Sequence, residues 1–158
     1  MKLWILFVAL AAIAWGAYVP TIHHGQLAFG GKTNPNSPMR AFLFIGLAYF
    51  AMAVIVPGLW LWSHQNVAGD GGFNFSGARL STIAGILGAV GALGVVFALK
   101  SGGSPLYVAP LVFAAAPIVN VLVAMTWDSW KNPINPLFFV GLLLAAAGAG
   151  MVLYFKPS

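Results

Sequence analysis

The amino-acid sequence predicts an all-α integral membrane protein with five transmembrane helices and short loops. Of its 158 residues, 61% are hydrophobic and only 6% are charged, whereas an ordinary soluble domain is about 25% charged. Five apolar stretches are each long enough to cross about 30 Å of hydrocarbon, which takes roughly 17 to 25 residues. The segments between them are rich in the Gly, Pro and Asn that favour turns. One transmembrane domain over residues 1–158 is predicted, with spans at 3–19 or longer, 41–62, 78–99, 105–126 and 137–155.

The first predicted helix also resembles a short signal peptide, but its apolar pattern continues beyond the cleavage position, so we expect a retained helix. Pro20 can kink or end this helix, which places His23 and His24 near the membrane interface. Adjacent side chains point about 100° apart on a helix, so this pair alone makes a poor metal site. Without cysteine or glutamate, a further protein ligand is hard to find. We predict no metal, and interfacial histidines bonded to lipid headgroups or loop carbonyls.

Tryptophan positions favour the count of five spans, because indole side chains prefer the membrane interface. If the spans alternate in direction, the N-terminal end and the loops at 63–77 and 128–136 share one side. Five of the six tryptophans fall there, namely Trp4, Trp60, Trp62, Trp127 and Trp130. Three Lys or Arg residues fall on that side and four on the other. This near balance leaves the orientation open under the positive-inside rule.

The second predicted helix, 41–62, is uniformly apolar and follows the turn-forming segment GGKTNPNSP at 30–38. The third carries two rows of small residues at four-residue spacing, which are Ser81, Gly85 and Ala89, and Ala84, Gly88 and Ala92. Small residues let helix backbones approach closely in lipid, so we expect this helix to be packed on several sides. The fifth helix repeats the spacing for internal packing or a dimer seam, at Gly141, Ala145 and Ala149.

The fourth predicted helix contains three prolines and one asparagine in an otherwise apolar run. Pro105 begins the helix, where proline costs nothing. Pro110 and Pro117 are seven residues apart and lie almost one above the other, with Asn120 three residues further on the same face. This pattern is typical of a kinked helix that lines a polar cavity. It is equally typical of a packing kink whose asparagine bonds to a neighbouring helix, and the sequence leaves both interpretations open.

Segments along nearly the whole chain share features with a known family. They are Trp15 with Gly16, the sequence FALK at 97–100 before a short glycine loop, APLVFAAAP at 109–117 and GAGMVLYFKP at 148–157. Together they resemble one repeat of the EamA type in the drug/metabolite transporter superfamily. Transporters of that family usually carry two five-helix repeats in inverted orientation, with the substrate cavity between them. The single repeat therefore implies a homodimer, with an antiparallel arrangement as one way to rebuild that architecture.

The resemblance implies a small transporter-like membrane protein that binds or moves a small neutral or anionic solute. The predicted substrate cavity lies near Trp15, Tyr18, Pro110, Pro117 and Asn120. Small multidrug exporters of the same superfamily use a first-helix glutamate for proton exchange, but this chain has no glutamate, and Asp70 and Asp128 lie in predicted loops. The alternative is an accessory or scaffold subunit that packs within a larger membrane complex and transports nothing, since glycine-rich helices serve either function.

Other function classes find little support in the sequence. No nucleophile, carboxylate pair or cofactor motif stands out, so we expect neither an enzyme nor a bound cofactor. The basic residues are scattered rather than clustered, which argues against a nucleic-acid partner. The chain has no cysteine, which excludes disulfides and thiolate metal sites. The expected surroundings are the lipid bilayer of the cell (inner) membrane and a second copy or a larger membrane complex.

Overall fold

The computed structural model describes residues 3–64, 72–127 and 134–156. Over these residues five α-helices follow one another: α1 (Leu3–Ala28), α2 (Ser37–Ser63), α3 (Phe75–Lys100), α4 (Pro105–Trp127) and α5 (Pro136–Tyr154). A single 3-10 turn, Gly31–Thr33, lies between α1 and α2. Each of the five helices is long and apolar enough to cross a membrane. The predicted fold class, an all-α integral membrane protein with five spans, is confirmed.

The first helix does not stop at its proline. α1 stays helical through Pro20 as far as Ala28, so His23 and His24 lie in its last two turns rather than in a loop. A proline inside a helix leaves one carbonyl without its amide partner, and nearby Ser or Thr hydroxyls help to solvate the backbone in membranes. Here Pro20 frees the Gly16 carbonyl, and the Thr21 hydroxyl donates to the next carbonyl, that of Ala17, at 2.8 Å. The proline therefore interrupts one hydrogen bond without ending the helix.

The chain forms two compact units. The discontinuous unit combines Met1–Thr21 with Gly102–Ser158, and the continuous unit is Ile22–Ser101. The boundary falls inside α1, directly after Thr21. In the discontinuous unit α4 packs against α5, and in the continuous unit α2 packs against α3.

The continuous unit buries its core at one end. Its buried residues belong to the last turns of α1, the 3-10 turn, the first turns of α2 and the C-terminal third of α3: Ile22, Gln26, Gly31, Ser37, Pro38, Ala41, Ala92, Val95, Val96 and Leu99. Ser81, Gly85 and Ala89 of α3 are exposed. The packing expected for this row of small residues is therefore not made by the described helices of the continuous unit.

The discontinuous unit buries much less of its surface. Val19 and Val108 are its buried hydrophobic residues among those the structure describes. α5 has no buried residue, and Gly141 and Ala145 are exposed. An apolar groove of about 310 Å³ runs between α4 and α5, lined by Ile118, Val121, Leu122, Phe139, Leu142 and Leu143. Most of this unit's apolar surface is therefore left for lipid or for other protein chains.

The tryptophans assigned to one membrane interface lie at helix ends. Trp4 is the second residue of α1, Trp60 and Trp62 lie in the last turn of α2, and Trp127 ends α4. All four side chains are exposed. Trp130, like Asp70 and Asp128, lies outside the described residues. Terminal, exposed indoles are what an interfacial belt requires.

Candidate functional site

The structure brings Trp15, one of the two aromatic residues predicted for the substrate cavity, against α4. The Trp15 ring packs edge-on against Phe113, with ring centroids 6.2 Å apart and planes at 86°. It also meets Tyr18 on α1, at 5.4 Å and 62°. Phe113 lies three residues after Pro110 and four before Pro117, which puts it on the same helix face. The sequence prediction missed Phe113, although its spacing from the two prolines marks the position.

We call the α4 surface formed by Pro110, Phe113, Pro117 and Asn120 the proline face. Phe113 is half-buried, whereas the two prolines and the asparagine are exposed. An interior proline removes the hydrogen bond to the carbonyl four residues earlier. Pro110 therefore frees the Leu106 carbonyl, and Pro117 frees the Phe113 carbonyl. The proline face therefore offers two freed carbonyl groups and one side-chain amide on an apolar helix. Polar groups of this kind are costly in lipid, so the face needs water or protein against it.

A second candidate site is a polar cavity within the continuous unit. Its volume is about 530 Å³, and we refer to it as the polar cavity. The residues around it come from the end of α1, the turn that follows and the end of α3: His23, Gln26, Leu27, Gly30, Gly31, Lys32, Leu99 and Lys100. Sequence reasoning identified His23 here but not the cavity.

Two glycines shape the turn at the rim of the polar cavity. Gly30 and Gly31 have φ of 100° and 52°, a left-handed region that favours glycine. A Cβ atom on Gly30 would lie 2.8 Å from the Cβ of Asn34. The Asn34 side-chain amide donates to the Phe29 carbonyl at 2.8 Å, and the buried Ser37 hydroxyl donates to the Gly31 carbonyl at 2.8 Å. The turn is thus fixed by its own hydrogen bonds.

Lys100, the last residue of α3, fastens this turn to the helix. Its Nζ donates to the carbonyls of Gly31 at 2.9 Å and Asn34 at 2.8 Å, with a longer contact of 3.4 Å to the Lys32 carbonyl. A lysine at a helix C-terminus also complements the helix dipole. Carbonyl groups orient the ammonium group but carry no net charge. The positive charge of Lys100 is therefore not cancelled by these partners.

Gln26 and His23 form the α1 wall of the polar cavity. Gln26 is only 4% exposed, and its Nε2 donates to the Val96 carbonyl of α3 at 2.8 Å. The Nδ1 atom of His23 is buried without a hydrogen-bond partner among the residues described. His24 is exposed, and its ring centroid lies 6.0 Å from that of His23, with the planes at 67°. The α1 side of the polar cavity therefore contains one buried polar atom whose hydrogen-bonding capacity is unused among the described residues.

Across residues 3–64, 72–127 and 134–156, no three His, Cys, Asp or Glu side chains come together as a metal site would require. No protein-family model, curated protein or solved structure matches the chain. The resemblance to the EamA repeat accordingly depends on the quoted segments alone. What the fold establishes is an integral membrane protein with five helices able to span the bilayer.

Proposed function

We propose that the protein is a small transporter of the EamA type that binds or moves a small neutral or anionic solute along the proline face of α4. The observation that carries this proposal is the contact of Trp15 with Phe113, at 6.2 Å between ring centroids. It places the Trp15 ring of α1 against the helix face that also carries two freed carbonyls and the Asn120 amide. Such a mixture of apolar walls and a few polar groups is typical of small-molecule sites.

The charge of the helices supports a neutral or anionic solute. None of the five helices contains Asp or Glu. An organic cation that leaves water for an apolar site needs a counter-charge, and this one offers none from its own helices. Carbonyl and amide groups suffice for a neutral solute.

The exposed proline face supports a dimer, which we propose for the cell (inner) membrane. Pro110, Pro117 and Asn120 are exposed within the single chain, yet they carry polarity that lipid does not satisfy. A second copy covers this face and encloses the solute between the two chains. Because the number of spans is odd, two copies in opposite orientation reproduce the inverted repeats of the family. Purified protein that is monomeric by light scattering, in every detergent tried, contradicts this part.

Cysteine scanning tests the solute site, because the chain contains no cysteine and single substitutions are unambiguous. Phe113→Cys and Asn120→Cys report on the proline face. Ala115→Cys and Val119→Cys are matched controls, since they are exposed residues on the opposite side of α4. A membrane-impermeant maleimide in proteoliposomes should label the first pair and leave the controls unlabelled. Protection of all four positions contradicts a water-filled site.

The alternative, a non-transporting accessory subunit, is favoured by a different observation. The small residues Ser81, Gly85 and Ala89 of α3 are exposed, and such rows mediate close helix contacts in membranes. An accessory subunit should purify with a stoichiometric partner in mild detergent, and Gly85→Leu should release that partner. A pure homodimer unaffected by Gly85→Leu argues for the transporter.

A further inference from the structure

We propose that the polar cavity binds a phosphate group. The site is separate from the proline face, so this inference goes beyond the proposed transport and does not depend on it. The cavity is about 530 Å³, within the range of roughly 300 to 1,000 Å³ for small-molecule sites. It is much larger than a halide ion needs.

The charge around the polar cavity favours an anion. Lys32 and Lys100 both line it, and no carboxylate does so among the residues that the structure describes. The carbonyl ends of α1 and α3 contribute partial negative charges of roughly half an elementary charge each. The two full positive charges of the lysines are larger than the combined partial negative charge of the two helix ends. The Lys100 ammonium group is held in place by the carbonyls of Gly31 and Asn34, so its charge is already positioned before a ligand arrives.

One buried polar atom beside the cavity has no hydrogen bond in the described chain. The buried Nδ1 of His23 has no partner there, and a buried polar atom without a hydrogen bond costs free energy. A phosphate group fits beside this ring, because its oxygens accept from an N–H at Nδ1, and free phosphate or a phosphate monoester also carries a hydroxyl that donates to an unprotonated nitrogen. Gln26 is fixed beside it by the bond to Val96.

The position of the cavity favours a phosphate group over other anions of similar size. The cavity lies at the C-terminal ends of α1 and α3, and the ends of membrane-spanning helices lie next to the headgroup layer. Lysine is a common phosphate ligand. Both a lipid headgroup and a free phosphate or phosphate ester reach this depth, and they share the same recognised group.

The experiment uses the full chain in detergent, stripped of lipid, with thermal unfolding as the readout. One arm titrates inorganic phosphate against sodium chloride of equal ionic strength. The other adds vesicles of phosphatidylglycerol or of phosphatidylcholine and measures the lipid retained by native mass spectrometry. Lys32→Gln and His23→Ala are the test variants, chosen because Lys100 also holds the turn. Arg40→Gln is the matched control, since it removes one positive charge from an exposed residue near the start of α2 that does not line the cavity.

Stabilisation by phosphate and not by chloride identifies a free anion site. Retention of phosphatidylglycerol in preference to phosphatidylcholine identifies a lipid headgroup site. In either case Lys32→Gln and His23→Ala should each weaken binding by about tenfold, as loss of a hydrogen bond to a charged group does, while Arg40→Gln should not. The proposal is overturned if neither probe binds, if chloride acts as strongly as phosphate, or if Arg40→Gln weakens binding as much as Lys32→Gln.

Discussion

At the scale of single residues, Gly30 and Gly102 have almost the same unusual backbone, with φ of 100° and 102°. A side chain in this region costs about 1 to 2 kcal/mol. The two positions differ in space, because a Cβ on Gly30 would lie 2.8 Å from Asn34 whereas one on Gly102 would meet nothing within 4 Å. Gly30→Ala should therefore lower the thermal unfolding temperature more than Gly102→Ala. Equal unfolding temperatures for the two variants, measured in one detergent, would contradict this prediction, because they would show that Asn34 moves away from the added Cβ at little cost.

Two side-chain hydrogen bonds, those of Gln26 and Lys100, could not be predicted from the sequence. Gln26 stands out in the sequence as a polar residue near the end of an apolar span, a common sign of function. Its partner is 70 positions away, at the Val96 carbonyl. Lys100 looks like an ordinary basic residue at a helix end, but its partners are carbonyls 66 to 69 positions away. A backbone carbonyl has no sequence signature, so neither bond could have been predicted from residue types.

At the scale of elements, the prolines of α4 occupy two different positions. Pro105 begins the helix, as predicted, and displaces no helical hydrogen bond. Pro117 lies inside and leaves the Phe113 carbonyl free; in soluble helices an interior proline costs about 3 kcal/mol. Pro117→Ala should raise the thermal unfolding temperature, and Pro105→Ala should leave it nearly unchanged. A lower unfolding temperature for Pro117→Ala would contradict this prediction, because it would show that neighbouring residues pack favourably only against the helix that contains the proline.

The helices themselves follow closely from hydrophobicity and turn residues. α4 begins at Pro105 and α2 ends one residue after the predicted limit. The end of α1 could not be predicted, because whether a helix continues through Pro20 depends on how the freed carbonyl is solvated and not on the proline alone. The proline face was predicted in part: the sequence placed Pro110, Pro117 and Asn120 together, but only the fold puts Trp15 beside Phe113.

At the scale of the whole molecule, five spans require that the segments before α1 and after α5 lie on opposite sides of the membrane. A chain tagged at both ends and reconstituted in sealed vesicles should lose one of its two tags to external protease. This result holds for either orientation, so it also applies to an antiparallel dimer. Chains that keep both tags or lose both have an even number of spans.

The same five helices argue against proton exchange through a buried carboxylate. An acidic residue in the bilayer centre costs about 2.5 to 3.5 kcal/mol on insertion scales, so a pump keeps one only for function. None is present in α1 to α5. Proteoliposomes should therefore show no proton-driven export of a cationic dye such as ethidium. Robust export that persists when His23→Ala and His24→Ala are combined would contradict this expectation.

The division of the chain into these two units affects the order in which its parts fold during synthesis. The continuous unit has all of its residues once synthesis passes Ser101, whereas the discontinuous unit joins Met1–Thr21 to a segment that follows it by 80 residues. Domains fold as units, N-terminal first during synthesis. The hydrogen bonds of Lys100 to its turn can therefore form before Phe113 has been synthesised, whereas the contact of Trp15 with Phe113 cannot. For that interval the N-terminal half of α1 depends on lipid or on the insertion machinery to shield it, which makes it sensitive to slow translation of α4.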